Sequence, residues 1–352
     1  MRDSDTARAE RNEGMDTEFH YYITGMVAHA SGFTEDETLT IATASEFVDE
    51  NDVTFTIEDR TGGTPYEVYI SQTMNILKPK RTLMRIYPVF HFIPGDPACD
   101  EACRRDGKMH LLNTTPNNEI ATELLQAAFM ATDDVRVHRI GVASHAYTDT
   151  WAHQNYVGWF DYFNNMGLDP KPDIGHADAE HHPDWVAHRW NDTRLVSDEI
   201  DNTERYLDAA KNLYDAYCGH LTQKGREPRT SWQHLEHSLR KIFGRSNSGF
   251  LNRGADERRR NYQQAVPWLK DFDTDGWYDE AFETEVRGIR DAKNGLCSTV
   301  CLFRDRYFWR GDVDRETTHW FRFQEAVKAH QRDAMRLLAP RFRKMGIDLH
   351  RH

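Results

Sequence analysis

Apolar residues recur along most of the chain at the three- to four-residue spacing that is typical of amphipathic helices. The spacing predicts helices at about residues 15–30, 35–49, 118–130, 133–154, 198–221, 232–243 and 316–338. Thr34-Glu35-Asp36-Glu37 resembles a capping box at the start of the second of these helices. No internal repeat is present, so the pattern favours an irregular bundle of many helices.

Residues 53–95 depart from this helical pattern. Polar and apolar residues alternate at 53–57 and 66–70, and residues 85–95 are rich in aromatic and β-branched side chains. These features predict short extended or irregular structure. We therefore expect an all-α fold, a multi-helix bundle, with one small irregular or β insertion near residues 53–95.

Three parts of the chain differ in character. Residues 1–14 are polar and charged, and we expect them to form a disordered leader. Residues 15–222 contain most of the candidate ligands and are predicted to form a metal-binding helical core. Residues 223–352 are predicted to form a helical extension that packs on this core within one continuous domain.

Composition argues against two classes of protein. No run of about 18 or more apolar residues is present, so no transmembrane helix is expected. The net charge of −13 argues against a stable nucleic-acid partner, because such proteins carry basic surfaces. An acidic chain can still act on a phosphoester through bound metal. The first residues lack an apolar signal region, which predicts a cytoplasmic protein, and the oligomeric state is left open.

The five cysteines form two CxxxC pairs and one single residue, namely Cys99, Cys103, Cys218, Cys297 and Cys301. This spacing differs from the CxxC of zinc knuckles and thioredoxins. Reduced structural thiols are therefore favoured, and a disulfide between the two CxxxC elements is the alternative.

The most informative stretch is residues 137–154, which lack proline and are predicted to be helical. His145, Asp149 and His153 follow one another at intervals of four residues, so their side chains share one helix face. Imidazole nitrogens and carboxylate oxygens are common ligands of zinc and related ions. A hydrogen-bonded polar seam would show the same spacing, but the threefold repeat and the 18 histidines of the chain favour a metal site.

Residues 175–185 hold a second concentration of potential ligands. His176 and Glu180 are four residues apart, and His181 and Asp184 follow them. A surface loop seldom has this density of ligand types. The segment is therefore predicted to supply at least one metal ligand, with His176 as the first candidate and His181 and Asp184 as the next.

Three isolated residues complete the candidate set. His20 lies near the start of the first predicted helix, Asp49 lies in an acidic cluster at the end of the second, and His91 lies between two phenylalanines. Each also fits an ordinary structural role, as a capping residue, a solvated helix end or a core histidine.

Several short motifs together resemble an uncharacterised bacterial family that carries a domain of unknown function. They lie at residues 19–22, 44–49, 90–94, 138–141, 145–154 and 175–177. More distantly, the order of the candidate residues is similar to that in the zinc-dependent phospholipase C and P1-type nuclease superfamily, whose members are all-α and hold three zinc ions. Carried over position by position, the resemblance implies metal ligation by His20, Asp49, His91, His145, Asp149, His153, His176 and Glu180.

These observations predict a metal-dependent hydrolase in which two or three zinc ions activate water toward a small-molecule substrate, most simply a phosphoester. Asp149 would bridge two ions, and Asp178 or Asp184 would assist proton transfer. Two alternatives stay open. One is a non-haem iron or manganese redox enzyme, and the other is a non-catalytic module with a structural metal.

Overall fold

The computed structural model describes residues 17–73, 80–167, 170–285 and 306–348. The predicted leader at residues 1–14 lies outside these ranges, as do Cys297 and Cys301. The α-helices of the described part span Thr24–Ser31, Glu35–Glu50, Lys80–Leu83, Glu119–Phe129, Asp133–Ala152, Asn202–Thr222, Trp232–Phe243, Ala255–Ala265, Gly276–Ala281 and His319–Lys344. π-Helices at Glu18–Ile23 and Tyr87–His91 each contain one candidate histidine.

The predicted all-α fold is wrong, because the chain is a mixed α/β protein of about 51% helix and 10% strand. The short strands of the described part span Thr56–Glu58 (β1), Tyr66–Glu67 (β2), Phe160–Asp161 (β3), Asp173–Ile174 (β4), Arg189–Asn191 (β5), Glu199–Asp201 (β6), Phe282–Glu285 (β7) and Arg306–Trp309 (β8). They form one four-stranded sheet in the order β2-β1-β8-β7 and two two-stranded sheets, β3-β4 and β5-β6. Strands of two to four residues are too short to produce a recognisable alternation in sequence.

The four-stranded sheet joins distant parts of the chain. Strand β1 pairs antiparallel with β2 and parallel with β8, where Ile57 is opposite Tyr307. The alternation at residues 53–57 and 66–70 thus belongs to a short hairpin, whereas the aromatic stretch beyond it contains a π-helix. The pairing of β1 with β8 depends on tertiary packing, so no local pattern predicts it.

The helix Asp133–Ala152, called the central helix below, is the buried axis of the molecule. It packs against the helices Glu35–Glu50, Glu119–Phe129 and His319–Lys344, and every residue from His138 to Ala152 is buried. At Gly141 an added Cβ would lie 2.5 Å from the Cβ of Ala44 and 2.6 Å from the carbonyl oxygen of Ile41. The absence of a side chain therefore lets the helix Glu35–Glu50 approach closely.

Within the residues that the structure describes, no helix has both the length and the apolar character needed to cross a membrane.

Candidate metal centre

The central helix supplies the middle of the site. The side chains of His145 and Asp149 are fully buried, and His153 follows as the C-cap residue, where the helical conformation ends. The Asp149 Oδ2 atom lies 3.2 Å from His145 Nε2 and 3.3 Å from His153 Nε2. The four-residue spacing thus brings all three side chains to one point.

Two π-helices bring further imidazoles to the same carboxylate. His20, from Glu18–Ile23, places Nε2 at 3.1 Å from Asp149 Oδ1. His91, from Tyr87–His91, places Nδ1 at 3.1 Å from Asp149 Oδ2. Asp149 is therefore surrounded by four histidine rings, and both of its oxygens face imidazole nitrogens. π-Helical turns are frequent at functional sites.

Asp49 lies on the most open side of this cluster. Its Oδ1 is 3.7 Å from His91 Nδ1 and 3.8 Å from His145 Nε2, and its side chain is 20% exposed. The side chain of Gln72 donates a hydrogen bond to the same oxygen over 3.2 Å. A carboxylate at a helix C-terminus opposes the helix dipole, and a cation between Asp49 and the imidazoles would offset that cost.

A second group of donors adjoins the first through His153. His153, His176 and Asp184 each offer a ligand atom within 4.8 Å of the others. The rings of His153 and His176 stack with centroids 5.0 Å apart, and the Phe92 ring stacks on His153 with centroids 4.1 Å apart. Gly175 has a φ of +55°, and an added Cβ would lie 2.6 Å from the Phe92 ring, so glycine is required immediately before His176.

Backbone carbonyls orient three of the imidazoles. The outer nitrogens are His145 Nδ1, His91 Nε2 and His176 Nδ1, and they lie 2.8, 3.1 and 2.8 Å from the carbonyl oxygens of Ser45, Ser71 and Glu180 respectively. A carbonyl only accepts hydrogen bonds, so each outer nitrogen carries the proton. In a neutral ring the inner nitrogen then presents a lone pair, as metal-bound histidines do.

The inner nitrogens face each other at short range. His145 Nε2 and His91 Nδ1 lie 3.1 Å apart, and both point at Asp149. Lone pairs this close repel one another unless a shared proton or a metal ion lies between them. Ligand atoms around tetrahedral zinc, at about 2.0–2.1 Å from the ion, are about 3.3 Å apart, which is close to the spacings found here.

Several buried nitrogen and oxygen atoms of the candidate ligands have no hydrogen-bond partner among the described residues. They are His20 Nε2, Asp49 Oδ2, Asp149 Oδ1, His153 Nδ1 and Asp184 Oδ1. Buried polar atoms are almost always paired in native proteins. Five such unpaired atoms at one place are consistent with a bound metal ion that contacts several of them. Imidazole nitrogens and carboxylate oxygens are ligands of zinc, iron and manganese.

The electrostatics favour charged carboxylates at two positions. Burial by itself would raise the pKa of Asp149, but the imidazoles of His145, His153 and His20 hold it well below its usual range. Burial would likewise raise the pKa of Asp184, and His176 outweighs it so that the pKa is lowered.

The imidazoles respond to burial in two ways. Burial, together with the neighbouring His20, lowers the pKa of His145, and burial also lowers that of His176. For His91, burial lowers the pKa, but the hydrogen bond to Asp149 and the charge of Asp49 raise it overall. Metal binding requires neutral rings and ionised acids, and the lowered pKa values of the two acids and of His145 and His176 match that requirement.

The structure brings together eight of the residues singled out in the sequence: His20, Asp49, His91, His145, Asp149, His153, His176 and Asp184. Asp184, predicted as a proton-transfer acid, lies among the ligand atoms. The chain follows a turn of 3₁₀-helix, Ala177–Ala179, between His176 and Asp184, so the carboxylate that meets His176 is eight residues along rather than four.

Three predicted residues lie outside the ligand set. The Glu180 side chain is exposed, and only its backbone carbonyl takes part, as the acceptor for His176. Asp178 accepts a hydrogen bond from the Met166 backbone over 2.8 Å. His181 is 41% exposed, with Nδ1 at 3.8 Å from Asp184 Oδ2.

Sequence reasoning missed the carbonyl groups that orient the rings. Ser45 and Ser71 contribute through their backbones, and residue type carries no signal for a backbone acceptor. Phe92, which covers His153, was noted only as a neighbour of His91. The sequence shows an aromatic residue at Phe92 and a glycine at Gly175, but it does not show that the two are in contact.

Comparison with known proteins gives a single kind of match. A model of DUF6765, described as a family of unknown function, matches residues 15–338. Neither a curated protein nor a solved structure matches the chain. An activity must therefore be argued from the site itself.

Proposed function

The chain belongs to the DUF6765 family, and we propose that it is a metal-dependent hydrolase whose histidine and aspartate cluster binds two or three zinc ions. The observation that carries this proposal is the convergence of inner imidazole nitrogens on Asp149, with the outer nitrogens held by carbonyl groups. A purely hydrogen-bonded core would pair these nitrogens with donors. Here they face one another and a charged acid.

The residues divide naturally between two positions. Asp49, His91 and His145 would suit one ion, and His153, His176 and Asp184 would suit another. Asp149 faces both sets, because its Oδ2 lies 3.1 Å from His91 Nδ1 and 3.3 Å from His153 Nε2. Its Oδ1 faces His20, where a third ion would be held. Zinc held there would supply Lewis acidity and a water nucleophile near neutral pH.

The chain itself must orient the reacting groups and move the proton. Asp49 is on the exposed side, where a substrate can approach. His181 is partly exposed beside Asp184 and can exchange a proton with solvent. The ligands occur in the chain order of the zinc-dependent phospholipase C and P1 nuclease superfamily, which supports a phosphodiester as the substrate.

One observation favours a second candidate, a non-haem iron or manganese redox enzyme. His153, His176 and Asp184 form a set of two histidines and one carboxylate, which suits ferrous iron. A purely structural ion is disfavoured, because the side chains of Asp49 and His176 are 20% and 17% exposed, and structural sites are closed.

We place the activity in the cytoplasm, because Cys99, Cys103 and Cys218 form no disulfide among the described residues, as in proteins of a reducing compartment. Thiol titration of protein purified without a reductant tests this placement. Oxidation of Cys99 and Cys103 to a disulfide in freshly isolated protein would contradict it.

The central test combines metal content with hydrolysis. Asp149→Asn keeps the size of the side chain but removes the charge that all four rings share, so we expect loss of at least one metal ion per chain. Hydrolysis of bis-(p-nitrophenyl) phosphate should fall by about a thousandfold or more, by analogy with the loss of other central electrostatic groups. Elemental analysis and initial rates measure the two effects.

Asp178→Asn is the matched control, since Asp178 is exposed and bonded only to a backbone amide in the described part of the chain. It should keep both metal and activity. Iron or manganese in the wild-type protein, with oxygen-dependent absorbance changes, would favour the redox candidate. Well-folded wild-type protein without any metal would contradict the proposal.

A further inference from the structure

His20 differs from the other imidazoles of the metal centre in how it is held. His91, His145 and His176 each bond a carbonyl group through the outer nitrogen. Both nitrogens of His20 lack a hydrogen-bond partner among the described residues; the ring stacks on His145 with centroids 3.8 Å apart, and Nε2 faces Asp149 Oδ1 at 3.1 Å. The position of His20 therefore depends on its backbone, the π-helix Glu18–Ile23.

A buried ion pair fixes this π-helix two residues before His20. Arg258 donates from Nε and Nη2 to the two carboxylate oxygens of Glu18, the second bond being 2.9 Å long. Both side chains are about 95% buried. The Tyr262 hydroxyl donates to Glu18 Oε1 over 2.8 Å, so one carboxylate receives three hydrogen bonds.

Further bonds make the arrangement rigid. Arg258 also donates to the Arg253 carbonyl over 2.8 Å and to Asn252 Oδ1 over 2.7 Å. Two residues after His20, the Tyr22 hydroxyl donates to Asp271 Oδ1 over 2.9 Å. The segment 252–271, some 240 positions later in the chain, therefore forms hydrogen bonds with the π-helix on both sides of His20.

We infer that Arg258 is a positioning residue that sets metal occupancy at the His20 position of the centre. This inference rests on the proposed function. The guanidinium does not touch the ligand atoms. It places the Glu18 backbone, and through it the His20 imidazole opposite Asp149 Oδ1. Loss of the bidentate contact frees the π-helix to move, and His20 has no hydrogen bond at its outer nitrogen to keep the ring in place.

The test compares variants by metal content and by the visible spectrum of the cobalt-substituted protein. Arg258→Met should weaken one ion by about tenfold or more, a typical effect of removing an outer contact of a ligand, while the ions at the other ligands stay bound. Arg240→Met is the matched control, because Arg240 makes an exposed bidentate pair with Glu204, which lies outside the π-helix Glu18–Ile23. It should bind metal as the wild type does.

A double-variant cycle separates positioning from general destabilisation. If Arg258 acts through His20, then His20→Ala and Arg258→Met should affect the same ion, and the double variant should lose no more than His20→Ala alone. Additive losses, or unchanged cobalt spectra in Arg258→Met, would overturn the inference. If Arg258→Met does not fold, Tyr262→Phe removes one bond to Glu18 and should shift metal affinity in the same direction.

The two proposals can fail separately. Wild-type protein that binds no zinc or cobalt would remove the proposed function and this inference together. Wild-type protein that binds metal, alongside Arg258→Met, Tyr262→Phe and Arg240→Met proteins that bind it equally well, would remove only the inference.

Discussion

At the scale of single residues, a buried histidine is not by itself a sign of a metal ligand. His330 is as buried as His145, yet its Nε2 bonds the Val89 carbonyl over 3.0 Å and its ring stacks on Phe90. Burial lowers the pKa of His330 to about 4. The difference lies in the surroundings, because the inner nitrogen of His145 faces Asp149 and other imidazoles.

His330 makes a prediction about acid stability. The folded protein holds the ring neutral down to about pH 4, whereas the unfolded chain takes up a proton near pH 6.5. Stability is therefore complete above about pH 6.5 and falls as the pH drops toward 4. The difference between the two pKa values corresponds to on the order of 3 kcal/mol, since a tenfold change in proton affinity is worth about 1.4 kcal/mol.

The His330→Phe variant keeps a ring against Phe90 and removes the titrating group. Urea unfolding in EDTA at pH 7 and pH 4 should show a smaller loss of unfolding free energy in the variant than in the wild type. The missing bond to Val89 lowers the stability of the variant at both pH values, so the comparison concerns the slope. Equal slopes would show that His330 does not titrate as its burial implies.

At the scale of secondary-structure elements, the candidate metal centre depends on how closely two helices approach. The carbonyl group of Ser45, on Glu35–Glu50, receives the His145 hydrogen bond from the central helix, and Asp49 lies one turn further on. Gly141 lies one turn before His145, at a point where an added Cβ would lie 2.5 Å from the Cβ of Ala44 on the other helix. A single methyl group at that contact pushes the two ligand-bearing faces apart.

We expect Gly141→Ala to reduce both stability and metal affinity. The added methyl overpacks the contact with Ala44 and Ile41 at a cost of about 1–3 kcal/mol, which exceeds the gain of about 1 kcal/mol from replacing a helical glycine. Metal titration should show weaker binding at the His145 position, and thermal unfolding a lower Tm.

Gly219 provides the control for this substitution. It lies in the helix Asn202–Thr222, and nothing is within 4 Å of its Cβ position. Gly219→Ala should leave metal binding unchanged and raise stability by about 0.5–1 kcal/mol. A Gly141→Ala protein that gains stability as Gly219→Ala does would contradict the close-approach argument.

At the scale of the whole molecule, the centre links segments from the first helix to residue 184. Its eight ligand candidates come from the π-helices, the helix Glu35–Glu50, the central helix and the loop after it. Bound ions would therefore cross-link the fold and stabilise it as any ligand of the native state does. Without the ions, imidazole lone pairs and charged carboxylates face one another in a buried space.

EDTA treatment should therefore lower the Tm of the wild-type protein by several degrees, and added zinc should restore it. Metal at about a thousandfold above its dissociation constant contributes on the order of 4 kcal/mol. His145→Ala, which removes a ligand, should respond much less to either treatment in calorimetry. An unchanged wild-type Tm after verified metal removal would show that the centre does not stabilise the fold.

Local periodicity predicted most of the long helices, but it missed Ala255–Ala265 and Gly276–Ala281 and it failed for the strands. Glu35–Glu50 begins at the capping box formed by Thr34 and Glu37, as the sequence indicates, and the central helix ends within two residues of its predicted limit. Strand β8 lies in the region that the sequence predicts to be a helical extension. Its pairing with β1 contradicts the all-α prediction. A strand of four residues acquires its structure from a partner strand, so its own residues carry little signal.

For the candidate metal centre, the sequence was enough to predict only the part that lies on one helix. A spacing of four residues places His145, Asp149 and His153 on one face whatever surrounds them, because helix geometry is local. Tertiary structure alone decided that His20, His91 and Asp49 meet this face. It also decided that Asp184 rather than Glu180 joins His176. Those contacts depend on helix packing, on the close approach at Gly141 and on turns between residues far apart in sequence, which composition and spacing do not encode.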